Sequence, residues 1–448
     1  MLDPQTAQER VAALVERARR AGADAADAVY HGQASESVSV RLGQLEDVER
    51  SESETVSLRV FVGEASASIG SSDLSGEALD ELAARAVAMA RAAPDDAFSG
   101  LAPEELLARG ALPALDLCDP AEPSPALLRE RARTAEAAAR EVAGVTNSEG
   151  GGASAGRGVF ALATSHGFAG AYETSSHGIS VSVVAGEGAG MQRDYAWRSA
   201  RHLADLPAPE EIGVLAGTRA VKRLDPGKLA SGTMPVVFDP RVGGSLVGHL
   251  VAAMSGAAIA RGASFLLGRE DEQLFAGAIT IFDDPHRRRG LGSRPFDGEG
   301  LATAPRALVE GGRLTGWLMD SAAARQLGGR PTGHAARGGG GAPGIAATNT
   351  HIAPGAPSPA ELIADIADGV YVTELIGHGV NGVTGDYSRG ASGYRIVGGE
   401  IAGPVAEFTV AGNLLEMFAA LVPANDLEWH RATNVPTLRI DGLMIAGD

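Results

Sequence analysis

Glycine constrains this chain more than any other residue. Sixty of its 448 residues are glycine, while only 4% are aromatic. Such a chain is expected to turn tightly and often, and to build its cores from small side chains. Its length exceeds what one hydrophobic core ordinarily organises, so two or three domains are expected. Hydrophobic residues at 44% and charged residues at 21% favour folded cores over disorder.

The local patterns predict an α+β protein. Asp3 caps a first helix with Pro4 in its first turn, Val11, Leu14, Val15 and Ala18 share one face, and Gly22 ends it. The alternating runs 37–42 and 55–62 read as strands with one polar face. Ser75 opens a second helix with Leu79, Leu82, Val87 and Met89 as apolar positions, ending at Pro94. Residues 1–100 thus form an N-terminal α/β unit. A Pro-rich connector (103–125) leads to a middle segment, taken as 101–230, with a helix over 126–142, glycine-rich turns, a strand at 179–184 and a helix near 211–223. The third region, 231–448, is predicted to be β-rich, with one clear helix from Pro359 to Ala367 capped by Ser358. The glycine run Gly338–Gly341 is expected to be a mobile loop.

Several function classes are disfavoured. A net charge of −18 argues against a nucleic-acid partner, and the one short basic run, His286-Arg287-Arg288-Arg289, reads as a solvated loop. The N-terminus shows no basic region followed by an apolar run, and no apolar stretch approaches the ~20 residues of a membrane span. Cys118, the single cysteine, allows neither an internal disulfide nor a multi-cysteine metal cluster. A cytoplasmic protein without a membrane partner is expected.

Two motif matches lack their structural setting. Gly152-Ala153-Ser154-Ala155-Gly156 fits a nucleophile elbow, but no strand precedes it and no helix follows, so a hairpin turn is predicted there. Gly377-His378-Gly379-Val380-Asn381-Gly382 fits a dinucleotide fingerprint and follows the strand 370–376, but turn-forming residues replace the required helix. That loop gathers His378, Asn381, Asp386, Tyr387 and Arg389, which makes it a candidate ligand or partner site, or a turn held by Asp386 and Arg389. Asp283-Asp284-Pro285-His286 reads as a capped turn.

The segment 243–254 is helix-like and follows the apolar run 236–238. A zinc hydrolase needs two imidazoles about one turn apart with a carboxylate beside them. Here His249 is alone among Gly, Ala, Val and Met, with no Glu within a turn.

The run Tyr371-Val372-Thr373-Glu374-Leu375-Ile376 with Gly377–Gly393 resembles the TldD/TldE (PmbA) family, specifically its TldE branch, and so do Gly290–Gly300 and Ala411-Gly412-Asn413-Leu414. Ser71–Ser75, Asn147–Gly151 and Ala163–Phe168 extend the likeness over almost the whole chain. The resemblance implies an α/β N-terminal domain, a middle segment and a β-rich C-terminal domain. It also implies assembly with a TldD-like catalytic subunit into a heterodimeric zinc metallopeptidase. TldD chains hold zinc with a His-Glu-x-x-x-His helix and a cysteine near the C-terminus. The matching positions here are Gly248, His249 and about Ala253, and residues 425–436 contain no cysteine. The implied role is a non-catalytic subunit, with zinc on the partner, that helps enclose unfolded or leader peptides or peptide-like metabolites. The alternatives are a self-sufficient hydrolase using His249 or His378, and a peptide-binding module without turnover.

Overall fold

The computed structural model describes residues 1–338 and 340–447. The first half is built on one six-stranded antiparallel sheet that crosses the 100/101 boundary. Its elements are helix α1 (Pro4–Arg20), strands β1 (Ala25–Arg41), β2 (Gln44–Val62) and β3 (Ala65–Ser71), helices α2 (Gly76–Ala92) and α3 (Pro125–Arg140), strands β4 (Val145–Thr164), β5 (Ala169–Ala185) and β6 (Gln192–Ala200), and helix α4 (Pro209–Lys222). The strand order is β3-β2-β1-β4-β5-β6, so the two segments join where β1 pairs with β4.

The caps act as the sequence predicts. The Asp3 carboxylate accepts the Thr6 N–H at 2.9 Å, and Ser75 accepts that of Ala78. Met89, expected among the apolar positions of α2, is exposed instead.

Strand alternation gives the sheet two different faces. Ala26, Ala28 and Tyr30 of β1 pack under α1 and α2, while Val38 and Val40, on the same face, pack under α3. Val29, on the other face, joins Phe160, Phe168 and Phe296 and so meets the C-terminal region.

The glycines at 150–158 are not turns. They lie inside β4, whose pairing with β5 continues through Ser154, so the expected hairpin is absent. Close approach explains them: a Cβ at Gly151 would stand 2.5 Å from the Ala132 carbonyl oxygen of α3.

The C-terminal half begins with β7 (Gly232–Phe238), helices α5 (Pro240–Ala253) and α6 (Gly256–Ala260), strands β8 (Ile281–Asp283), β9 (Arg306–Glu310) and β10 (Arg313–Leu314), and helix α7 (Ser321–Leu327). Short strands β11 (Ala335–Ala336), β12 (Gly344–Ile345) and β13 (Thr350–Ile352), then helix α8 (Pro359–Ile363), lead to the long strands β14 (Asp368–Ile376), β15 (Asp386–Val397) and β16 (Glu400–Asn413). Helix α9 (Leu414–Ala419) and strands β17 (Leu421–Pro423), β18 (Thr433–Asn434) and β19 (Leu438–Ala446) complete it. A mixed sheet ordered β16-β15-β14-β7-β19-β17 carries the main core, and β10-β9-β8-β13-β18 forms a second sheet. Beside the helix expected from Pro359 and the helix-like segment 243–254, which forms α5, this region holds the short helices α6, α7 and α9, too brief to show a helical period in sequence. Gly339, within the glycine run expected to form a mobile loop, lies outside the described residues.

Buried ion pairs join the two halves. Asp194 of β6 takes a bidentate pair from Arg241 of α5 at 2.8 and 3.2 Å. Asp27 of β1 holds both Arg59 and Arg337, with Glu299 3.8 Å from Arg59. Among the described residues, no helix is long and apolar enough to cross a membrane.

Candidate functional site

Helix α5 starts where Asp239 accepts the Arg241 N–H at 2.9 Å and Pro240 occupies the first turn. Leu246, Val247, Leu250 and Ala253 are buried at helical spacing, which turns Gly248, His249 and Ala252 away from the core. His249, Ala252 and Ala253 line a cavity of about 260 Å³ closed by Ala263, Phe265, His378, Val380, Gly382 and Arg389. Gly248 sits beside it, and a Cβ there would meet open space.

The opposite wall comes from β15 and the loop before it. Alternation puts Tyr387 and Arg389 on one face and Asp386 and Ser388 on the other. The Tyr387 ring is buried edge-on to His249, with centroids 6.3 Å apart. Arg389 donates to the Leu375 carbonyl at 3.3 Å, and its Nε has no partner.

Asn381 and Asp386 build the turn instead of facing the cavity. The Asn381 Oδ1 accepts the Val383 N–H at 2.9 Å, and Asp386 accepts the Thr384 hydroxyl at 2.6 Å. Asp386 and Arg389 therefore do not hold the turn together as a pair. Of the five loop residues singled out by sequence, His378 and Arg389 reach the cavity, Tyr387 backs its wall, and Asn381 and Asp386 shape its rim.

The electrostatics are those of a guarded, neutral imidazole. Burial, and then the Arg389 cation, hold His249 below the ordinary histidine value, and its Nε2 is unpartnered. Burial pushes the Tyr387 phenol up to about 12 against the pull of Arg389. These residues do not fit a zinc ion: the cavity wall offers two imidazoles, His249 on α5 and His378 on the facing loop, no carboxylate or thiolate, and a guanidinium that repels cations. Among the described residues, no group of three or more His, Cys, Asp or Glu is placed to hold a metal.

The Gly377–Gly382 fingerprint is followed by strand β15 and no helix, so no phosphate cradle forms there. Asp284 accepts the His286 N–H at 2.9 Å, which is the capped turn read from sequence.

The basic run beside it departs from expectation. Arg287 stacks over Trp429 at 3.3 Å, while Arg288 and Arg289 pair with Asp116 at 2.9 and 2.7 Å, so the run fastens the C-terminal half to the middle segment. Sequence reasoning missed this role because the partners lie more than a hundred residues away.

Comparison with known proteins gives one consistent result. Profiles of the PmbA/TldA metallopeptidase family match in order: domain 1 over 26–90, the central domain over 118–224 and the C-terminal domain over 231–447. The metalloprotease PmbA of Escherichia coli O157:H7 is 39% identical over 413 residues, spanning 92% of this chain and 90% of that protein. A PmbA metalloprotease homologue of Haemophilus influenzae is 34% identical over 99% of this chain and 97% of its own length. A Bacteroides thetaiotaomicron crystal structure, described as a candidate modulator of DNA gyrase, superposes with a TM-score of 0.91 at 26% identity, over 100% of both chains. TldE from Thermococcus kodakarensis shares the fold, with a TM-score of 0.84 at 22% identity over 98% of this chain and 100% of its own.

Proposed function

This chain belongs to the PmbA/TldA metallopeptidase family, and from that premise we propose that it is the subunit of a heterodimeric zinc peptidase that carries no metal itself. The observation that carries the reading is the cavity at α5. It keeps an enclosed space against the β14–β15 loop, while Gly248, His249 and Ala253 stand where metal ligands and a proton acceptor would be needed. Imidazoles beside a fixed guanidinium, with no carboxylate or thiolate to join them, cannot lower the pKa of a water as a bound zinc does. Water activation then falls to a TldD-like partner that supplies the zinc. This chain encloses unfolded or leader peptides, or peptide-like metabolites, and stabilises the assembly in the cytoplasm.

On this reading His378 and Arg389, which both line the cavity, touch a substrate carbonyl or carboxylate. His378→Ala and Arg389→Ala should each lower hydrolysis by the assembled complex and leave assembly intact.

Zinc content and hydrolysis of an unfolded peptide, measured for this chain alone and co-expressed with a His-Glu-x-x-x-His relative, test the reading. Zinc and activity only in the co-purified complex support it. Stoichiometric zinc and cleavage by the lone chain, abolished by His249→Ala, would replace it with a self-sufficient hydrolase. Binding without turnover by the complex would replace it with a peptide-binding module.

A further inference from the structure

A second recess, of about 760 Å³, opens between the end of β6, the loop at 287–291 and the loop at 428–431. Six arginines line it, against three carboxylates (Asp205, Glu211 and Glu428), in a protein of net charge −18: Arg198, Arg201, Arg287, Arg288, Arg289 and Arg431. Arg288 and Arg289 spend their charge on Asp116 and Asp205. The other four are poorly neutralised. Arg198 has one carboxylate, Glu428, at 4.0 Å. Among the described residues, no carboxylate lies within 4.0 Å of Arg201, Arg287 or Arg431.

Their hydrogen bonds leave these charges open. Arg201 donates only to carbonyls, including that of Ser175 at 3.0 Å. Arg431 donates to the Arg241 carbonyl at 2.8 Å, with its Nε buried and unpartnered. Arg287 makes no side-chain hydrogen bond among the described residues, and its guanidinium carbon sits 3.3 Å from the Trp429 ring centroid. Burial, and then three neighbouring cations, Arg198 first, pull His430 down to about 4, so it stays uncharged beside them.

We infer that this groove binds carboxylates of acidic peptide segments, each carboxylate completing an arginine fork that the fold leaves unfilled. The inference rests on the peptide-substrate reading above, and it adds a substrate preference and a site distant from α5. A polynucleotide is the poorer match, because a surface of net charge −18 repels a long polyanion while a few carboxylates need only the local field.

The test uses the full chain without its partner and fluorescence anisotropy of a labelled Glu/Ala peptide against its Gln/Ala counterpart, each with free and amidated C-termini, and of an oligothymidylate. The Glu peptide should bind at least about tenfold more tightly than the Gln peptide, and Arg287→Gln should remove about tenfold, the worth of one charged hydrogen bond. Arg287 makes no fold-supporting hydrogen bond, so this variant should remain folded; Arg431→Gln is the second. Glu binding that survives amidation assigns recognition to side chains and supports the groove, while binding that needs the free terminus would assign it to the terminal carboxylate and overturn the preference for acidic segments. Equal binding of the Glu and Gln peptides, unchanged binding by Arg287→Gln, or tighter binding of the oligonucleotide would overturn it. Because no hydrolysis is read, the groove can fail while the partnered complex still cleaves neutral peptides, and can stand when that complex does not.

Discussion

Glu299 should make this protein less stable as pH rises from about 4.5 to about 7. Its carboxyl is 3% exposed and accepts the Ser321 N–H at 2.9 Å and hydroxyl at 2.7 Å, with Arg59 at 3.8 Å. Burial raises it from 4.5 to about 7; Arg59 opposes that rise and Asp297 adds to it. Between those two pH values the folded chain keeps a proton that the unfolded chain releases. Stability therefore falls with rising pH by about 1.4 kcal/mol per pH unit, to a total of about 3 kcal/mol, and levels off above pH 7. Glu299→Gln keeps an acceptor for Ser321 and cannot ionise. Its stability relative to the natural chain should be level below about pH 4 and rise by as much as about 3 kcal/mol by pH 8. Urea unfolding of both chains across that range measures the difference, in which all other titrating groups cancel. A constant offset between the two curves would refute the argument.

Other expectations concern packing and the α5 cavity. Arg241→Met leaves the Asp194 carboxylate, 1% exposed, with the Tyr195 N–H at 2.7 Å and Arg223 at 3.5 Å as its one remaining cation; it should cost about 3–5 kcal/mol in the first thermal or urea transition. Gly213→Ala places a Cβ 2.1 Å from the Ala135 carbonyl oxygen across the α3–α4 contact, so despite alanine's better helix propensity it should destabilise by about 1–3 kcal/mol in urea. Arg389→Met removes the charge that lowers His249, so the His249 imidazole should titrate at higher pH by NMR.

What could be read from the sequence depended on how local the determining contacts are. The starts of α1, α2 and α8 were legible because capping is local: Ser358 and Glu361 close a reciprocal capping box within four residues. The continuity of β4 was not, because its glycines answer to the carbonyl of α3 and to side chains on β5, neither of which lies nearby in sequence. At the α5 site, helical spacing and strand alternation place His249, Ala253, Tyr387 and Arg389, so the cavity's walls were half visible beforehand. The arginine groove was invisible, since its residues come from loops near 200, 288 and 430 and separate sequence windows show only one to three at a time.

Arg389 suggests that the α5 site differs from a zinc site by more than missing ligands. A unit charge about 6 Å from a divalent ion opposes it by about 5 kcal/mol at an effective dielectric constant of ~20. Ala253→His would restore two imidazoles one turn apart on the cavity face of α5, yet alone it should bind zinc weakly because the guanidinium remains. Ala253→His with Arg389→Met removes both obstacles, and by isothermal titration it should bind zinc at least about tenfold more tightly than Ala253→His. Equal affinities would mean that Arg389 swings clear of an incoming ion, leaving ligand loss alone to account for the unfitted site. A large gain would show that fixed positive charge keeps metal out of this cavity.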